Sequence, residues 1–185
     1  MPAVSSIRSK YSQDYWLKTK NELLNFIDSE SKTISFFDSY KIKKKDFDIF
    51  INKAKGLDWL TNQEVNSIIE YSPEVTGRVK FLFHRFKFSF LAKHRIFSEI
   101  PAYIVIEPCS ICNMRCPMCY QTDKSFTTKE FMGKMDLDLF KKIIDECFEQ
   151  GIGSVTLASR GEPTLHPQLG EMIQYGKGKI MEFKM

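Results

Sequence analysis

The sequence predicts an α/β fold, a run of βα units preceded by a small helical region, and three observations carry that prediction. Ala102, Tyr103, Ile104, Val105 and Ile106 follow Pro101 as a short β-rich apolar run ended by Glu107 and Pro108, the form of a strand buried on both faces of a parallel sheet. Phe140, Ile143, Ile144, Cys147 and Phe148 then recur at helical spacing, with Lys141, Lys142, Asp145, Glu146 and Glu149 on the other side. A second strand, a second helix and a third apolar run repeat the alternation, which is the pattern of a parallel sheet or barrel. The change of character falls near Pro101, dividing the chain into 1–100 and 101–185.

The helical region reads as short helices joined by breaks. Ser12 is placed to cap a segment carrying Trp16, Leu17, Leu23, Leu24 and Ile27, and Asp46 to start another with Phe47, Phe50 and Ile51 that stops at Gly56. Thr61 followed three residues later by Glu64 is a capping-box signature, with Val65, Ile68 and Ile69 behind it. Ser72 and Pro73 read as cap and first residue of a fourth helix.

Residues 78–97 combine Arg78, Lys80, Arg85, Lys87, Lys93 and Arg95 with six phenylalanines and no acidic residue. Basic charge with aromatic rings suits phosphates, bases or a lipid headgroup layer. The stronger reading is packing, because Leu82, Phe86 and Phe90 recur every four residues as on the buried face of a helix. His84 and His94 are read as ordinary side chains of that helix.

Composition bounds the rest. The chain has 185 residues, 43% of them hydrophobic, and 27 Lys and Arg against 23 Asp and Glu. That is globular composition with enough apolar material for a core. A net charge of +4 gives no reason to expect nucleic acid. No apolar run reaches the roughly 18 residues of a membrane span, and a secretory leader pattern is absent. A cytoplasmic protein is the expectation.

In the second half, Asp136 is placed to cap the helix through Phe148 and Gly151 to stop it. Ser154, Val155, Thr156 and Leu157 form the second strand, a polar loop covers 158–167, and a helix through Leu169, Met172 and Ile173 ends near Gly176. Ile180, Met181, Phe183 and Met185 begin the third strand. Right-handed crossovers put the loops that follow parallel strands on one rim. The loop after the first strand and the loop after the second should therefore meet.

Those loops hold the chemistry. Cys109, Cys112, Cys116 and Cys119 fall within eleven residues, while Cys147 stands apart and reads as a core residue. Crowding of this kind indicates metal or redox chemistry rather than a disulfide framework. Three thiolates so close together can wrap one iron–sulfur cube and leave a fourth iron open for a ligand. With Cys109 included, the same residues could make a closed four-thiolate zinc site.

The spacing Cys112, Cys116, Cys119 after a first strand resembles the signature loop of radical S-adenosylmethionine enzymes, and Arg160, Gly161, Glu162, Pro163 resembles that family's Gly-Gly-Glu-Pro segment after the second strand. The resemblance implies a partial (β/α) barrel of radical SAM type, of which 101–185 is the beginning. It implies a 4Fe-4S cluster on Cys112, Cys116 and Cys119. It further implies S-adenosylmethionine near Met118, Tyr120, Gly161, Glu162 and Pro163, reductive cleavage to a 5′-deoxyadenosyl radical, and an electron donor such as flavodoxin or ferredoxin. Carbonyls, a carboxylate and a glycine suit an ammonium group that must be approached closely. Arg160 stands where the commoner form has glycine, Met118 stands where the family usually has an aromatic residue, and Cys109 lies outside the motif. Tyr120 fits either beside adenine or packed beneath the loop. No catalytic side chain and no substrate, small molecule or peptide, is named by these residues.

The resemblance covers 102–185, and a full (β/α)₈ barrel needs about 250 residues. The expectation is the N-terminal part of a longer enzyme, inactive alone. The rival expectations are a structural zinc protein and a non-catalytic module that binds a partner through its basic, Phe-rich helix.

Overall fold

The computed structural model describes residues 10–29, 35–36, 38–40 and 42–185. The chain divides into two compact units, Met1–Glu99 and Ile100–Met185.

In the first unit, α1 (Gln13–Asp28) begins where the Ser12 hydroxyl accepts the Tyr15 N–H at 3.2 Å, and it buries Thr19, Leu23 and Ile27 along one face. Helix α2 (Lys44–Ile49) runs on into a π-helical stretch, Phe50–Ala54. The expected cap at Asp46 is corrected, because Lys43 is the N-cap and Asp46 lies inside the helix. Its buried carboxylate is taken by distant partners, the Ser98 hydroxyl at 2.6 Å and Lys87 Nζ at 3.8 Å. Helix α3 (Asn62–Tyr71) carries the full capping box: Thr61 N–H donates to Glu64 Oε2 at 2.9 Å, and Glu64 N–H donates to Thr61 Oγ1 at 3.3 Å.

Helix α4 (Val75–Arg85) begins two residues later than expected, with Glu74 as N-cap, and continues as a second π-helical stretch, Phe86–Leu91. Ser72 is held outside it because its hydroxyl accepts the Glu74 N–H at 3.1 Å while its carbonyl accepts Arg78 Nε at 2.8 Å. Leu82, Phe86 and Phe90 are buried, with Phe81 and Phe83 beside them, whereas Phe97 is 87% exposed. The Phe86 ring lies edge-on to Phe50 at 5.1 Å and Phe90 edge-on to Trp59 at 5.7 Å. Most of the Phe-rich stretch is thus core. Buried His84 lies between the rings of Phe81 and Phe88.

The second unit is a three-stranded parallel sheet in the order β1 (Tyr103–Val105), β2 (Ser154–Thr156), β3 (Glu182–Lys184). Ile104 pairs with Val155 and Val155 with Phe183. Helix α5 (Leu137–Gln150) connects β1 to β2, and α6 (Leu169–Gly176) connects β2 to β3. Asp136 caps α5 by accepting the Asp138 and Leu139 N–H groups, and Gly151 ends it at φ 71°, a left-handed position suited to glycine. Phe140, Ile144 and Cys147 of α5 and Met172 of α6 pack with Ile106, Val155, Leu157 and Ile180 into one core.

Two details depart from the sequence pattern. Phe148 is 52% exposed, since eight residues beyond Phe140 is about 80° round the helix, at the margin of the apolar stripe. Strand β1 is not buried on both faces: Ile104 and Ile106 join the core, while Tyr103 and Val105 on the opposite face are exposed. The alternation follows from the pleat, with the helical core packed against one side.

Candidate functional site

The loops that leave the C-terminal ends of β1 and β2 meet. The Glu162 N–H donates to the Ile111 carbonyl at 2.9 Å. Gly161 lies so close beneath the cysteine loop that a β-carbon there would fall 1.8 Å from the Cys109 oxygen. The buried Gln121 side chain spans both loops, its Nε2 donating to the Ser110 carbonyl at 2.9 Å and the Arg160 carbonyl at 2.7 Å. Parallel pairing of β1 with β2 brings the two loop origins together, as the strand order required.

At the root of the loops, Glu107 and Arg160 form a two-pronged pair. Arg160 Nη2 donates to Glu107 Oε1 at 2.6 Å, Nε to both oxygens at 3.0 Å, and the Arg160 backbone N–H to Oε2 at 2.8 Å. Partial burial would push the Glu107 carboxyl up. The hydrogen bonds and charge of Arg160 outweigh that and hold it below the usual carboxylate range. This bidentate geometry is the strong form of a charged hydrogen bond. Arg160 thus uses its side chain at the base of the loops and its carbonyl on Gln121.

All five cysteines are free thiols. Cys109 is buried, its thiol donates to the Ile111 carbonyl at 3.6 Å, and its backbone forms an antiparallel bridge to Lys134. Cys147 is buried in the α5 core, where burial above all, with the charge of Glu146, pushes its thiol up. Cys112 and Cys119 are half-buried and Cys116 is exposed. Local bonds shape this loop: Met114 N–H to Cys112 Sγ at 3.4 Å, Arg115 Nη1 to the Cys112 carbonyl at 3.0 Å, and Cys119 N–H to the Cys116 carbonyl at 2.9 Å. Among the described residues no three His, Cys, Asp or Glu side chains are gathered to hold an ion. The donor set nonetheless suits an iron–sulfur cluster in type and number, with three reachable thiols on one loop and the neighbouring thiol turned inward.

Met118, directly before Cys119 in the cysteine loop, is 89% exposed. Tyr120 is also exposed and stands edge-on to Phe126 at 5.5 Å. Glu162 is the N-cap of the short 3₁₀ turn Pro163–Leu165, its Oε1 accepting the Thr164 N–H at 3.1 Å and the Thr164 hydroxyl at 2.7 Å. Those bonds hold its carboxyl below the ordinary range. Pro163 is buried as the first residue of that turn. Buried His166 receives the Gln168 N–H on Nδ1 at 3.1 Å and bonds the Met135 carbonyl through Nε2 at 2.9 Å, tying the start of α6 to the segment before α5.

The structure thus brings Gly161 and Glu162 against 109–111, immediately ahead of Cys112, and leaves Met118 and Cys116 projecting outward. Sequence reasoning missed Glu107 and Gln121. The available signal was weak: an acidic residue just after one strand, a basic residue just after its neighbour, and a glutamine two residues past Cys119.

Residues 106–183 match the family model described as the Radical SAM superfamily. Over 73 residues the chain is 36% identical to the "Tungsten-containing aldehyde ferredoxin oxidoreductase cofactor-modifying protein" of Pyrococcus furiosus. That similarity covers 39% of this chain and 19% of the relative, so the chain spans about a fifth of the relative's length. No solved structure matches the chain. Among the described residues no helix is long and apolar enough to cross a membrane.

Proposed function

From the match of residues 106–183 to the Radical SAM superfamily model, we propose a radical S-adenosylmethionine enzyme function in which Cys112, Cys116 and Cys119 bind a 4Fe-4S cluster and the loop carrying Gly161, Glu162 and Pro163 binds S-adenosylmethionine beside it. The observation that carries the reading is the contact of the two loops, with the Glu162 N–H on the Ile111 carbonyl one residue ahead of the first ligand cysteine. Once bound, the cluster would supply one electron, delivered by a donor such as flavodoxin or ferredoxin, to break the sulfonium's carbon–sulfur bond and give methionine and a 5′-deoxyadenosyl radical able to abstract hydrogen from a substrate.

The chain's own residues bind and orient. Cys109 stays outside the ligand set, since its thiol is buried and bonded to Ile111; three thiolates leave one iron for a ligand. Gly161 lets the second loop approach closely, and its neighbour Glu162 presents a carboxylate. Two bonds from Thr164 leave that carboxylate capacity for an ammonium group, because a carboxylate has about four acceptor positions. Met118 and Tyr120, exposed on the cysteine loop, are the side chains available to a purine. The partial (β/α) barrel belongs to the same proposal, with β1, β2 and β3 as its first strands.

Anaerobic reconstitution of the chain with iron and sulfide tests the reading. A brown protein with about four irons per chain, whose cluster spectrum changes when S-adenosylmethionine is added, is the expected result. A colourless protein retaining one zinc would overturn it.

A further inference from the structure

Gln121 is the side chain that joins the two loops. It is buried, and both protons of its amide are committed to backbone carbonyls, one on Ser110 and one on Arg160. Its Oε1 is buried with no hydrogen-bond partner. Chemistry fixes this orientation, since turning the amide over would set its oxygen against two carbonyl oxygens. An unpaired buried acceptor destabilises a fold, so the residue's contribution lies in the two bonds it donates.

Those bonds have a definite geometry. Ser110 precedes Cys112 and Gln121 follows Cys119, so the bond to Ser110 closes the cysteine loop at its base, across 11 residues of chain. The bond to Arg160 then fastens that base to the second loop. The Glu107–Arg160 pair and the Glu162–Ile111 bond run alongside as further ties.

We infer that Gln121 is a positioning residue, setting the spacing between the cysteine loop and the Gly161–Glu162 turn so that one ligand meets both at once; this deepens the proposed function and rests on it. Gln121 touches none of the three cysteines through the bonds it makes. Its loss should weaken ligand binding and leave iron retention intact.

The test uses Gln121→Leu and Gln121→Glu in the full chain. Leu removes the donor, while Glu keeps the shape and puts an acceptor against two acceptors. In metal-free protein, amide exchange at Glu162 should quicken about tenfold in both variants, the equivalent of losing about one net hydrogen bond, with Ile144 in α5 unchanged. In reconstituted protein, iron content should match the parent and the Kd for S-adenosylhomocysteine should rise about tenfold. Unchanged exchange at Glu162 overturns the inference, as does unchanged Kd with iron retained. Exchange quickened equally at Ile144, or failure of both variants to fold, also overturns it, because Gln121 would then serve the fold at large. If the parent takes up no iron, the proposed function fails, and the exchange measurement alone decides whether Gln121 ties the loops.

Discussion

Gly161 lies against the backbone of Cys109 so tightly that a single methyl group would overlap the carbonyl oxygen and carbon, at 1.8 and 2.6 Å. The obstructing atoms are backbone, which has no rotamer to yield. The two loops can approach this closely only because that position lacks a side chain.

Gly161→Ala should therefore force the loops apart and break the Glu162–Ile111 bond. The expected outcome is quickened exchange at Glu162 and a loss of about 1–3 kcal/mol in chemical unfolding of the second unit. A variant as stable as the parent, with that amide still protected, would contradict the packing described.

Cysteine replacement separates ligands from bystanders. Cys112→Ala, Cys116→Ala and Cys119→Ala should each abolish retention of iron after anaerobic reconstitution, whereas Cys109→Ala and Cys147→Ala should retain it, since both are buried away from solvent. Iron and sulfide analysis reads the result.

Glu64 predicts acid sensitivity of the first unit. Burial would raise its carboxyl, but hydrogen bonds from Ser89, Thr61 and Arg85 outweigh burial and lower it from 4.5. A lowered folded value favours the ionised form in the fold, so its contribution is complete above 4.5 and is lost as pH falls through the lowered value. Both tryptophans, Trp16 and Trp59, lie in this unit, so tryptophan fluorescence during urea unfolding reports it. Between about pH 6 and pH 3 the parent should lose more stability than Glu64→Gln.

Arg95, just beyond the coil that continues α4 through Phe86–Leu91, has φ 54°, with the Ile96 N–H on the Leu91 carbonyl at 2.9 Å. A non-glycine residue in that conformation costs about 1 kcal/mol. Arg95→Gly should raise the stability of the first unit by about that amount in the same fluorescence assay.

What the sequence disclosed was what local pattern determines. The alternation of strand and helix, the Asp136 and Thr61 caps and the Gly151 stop follow from neighbours within a turn or two, and each is present as read. The meeting of the two loops was legible too, because parallel strand order entails it. What stayed hidden depends on distant partners. Asp46 reads as a cap until Ser98 and Lys87 take its carboxylate. Arg160 reads as a departure from a glycine motif until Glu107 receives it, 53 residues away in the chain. Gln121 has no periodicity at all, and its position between two carbonyls exists only once the strands have paired.

The two π-helical stretches, Phe50–Ala54 and Phe86–Leu91, are the places where the helices of the first unit would lose a residue with least change of phase. Each hydrogen-bonded turn there encloses one residue more than an α-helical turn, and the two stretches meet through Phe50 and Phe86. Deleting one residue from 86–88 would regularise the coil and leave the residues after it near their present angle round the axis, whereas the same deletion in the α-helical part, at 79–81, would swing everything after it about 100°, carrying Phe90 off the Trp59 indole. In the α-helical deletion the damage would come from phase and not from lost volume, so a compensating insertion a few residues later should rescue it more than any enlargement of a neighbouring side chain.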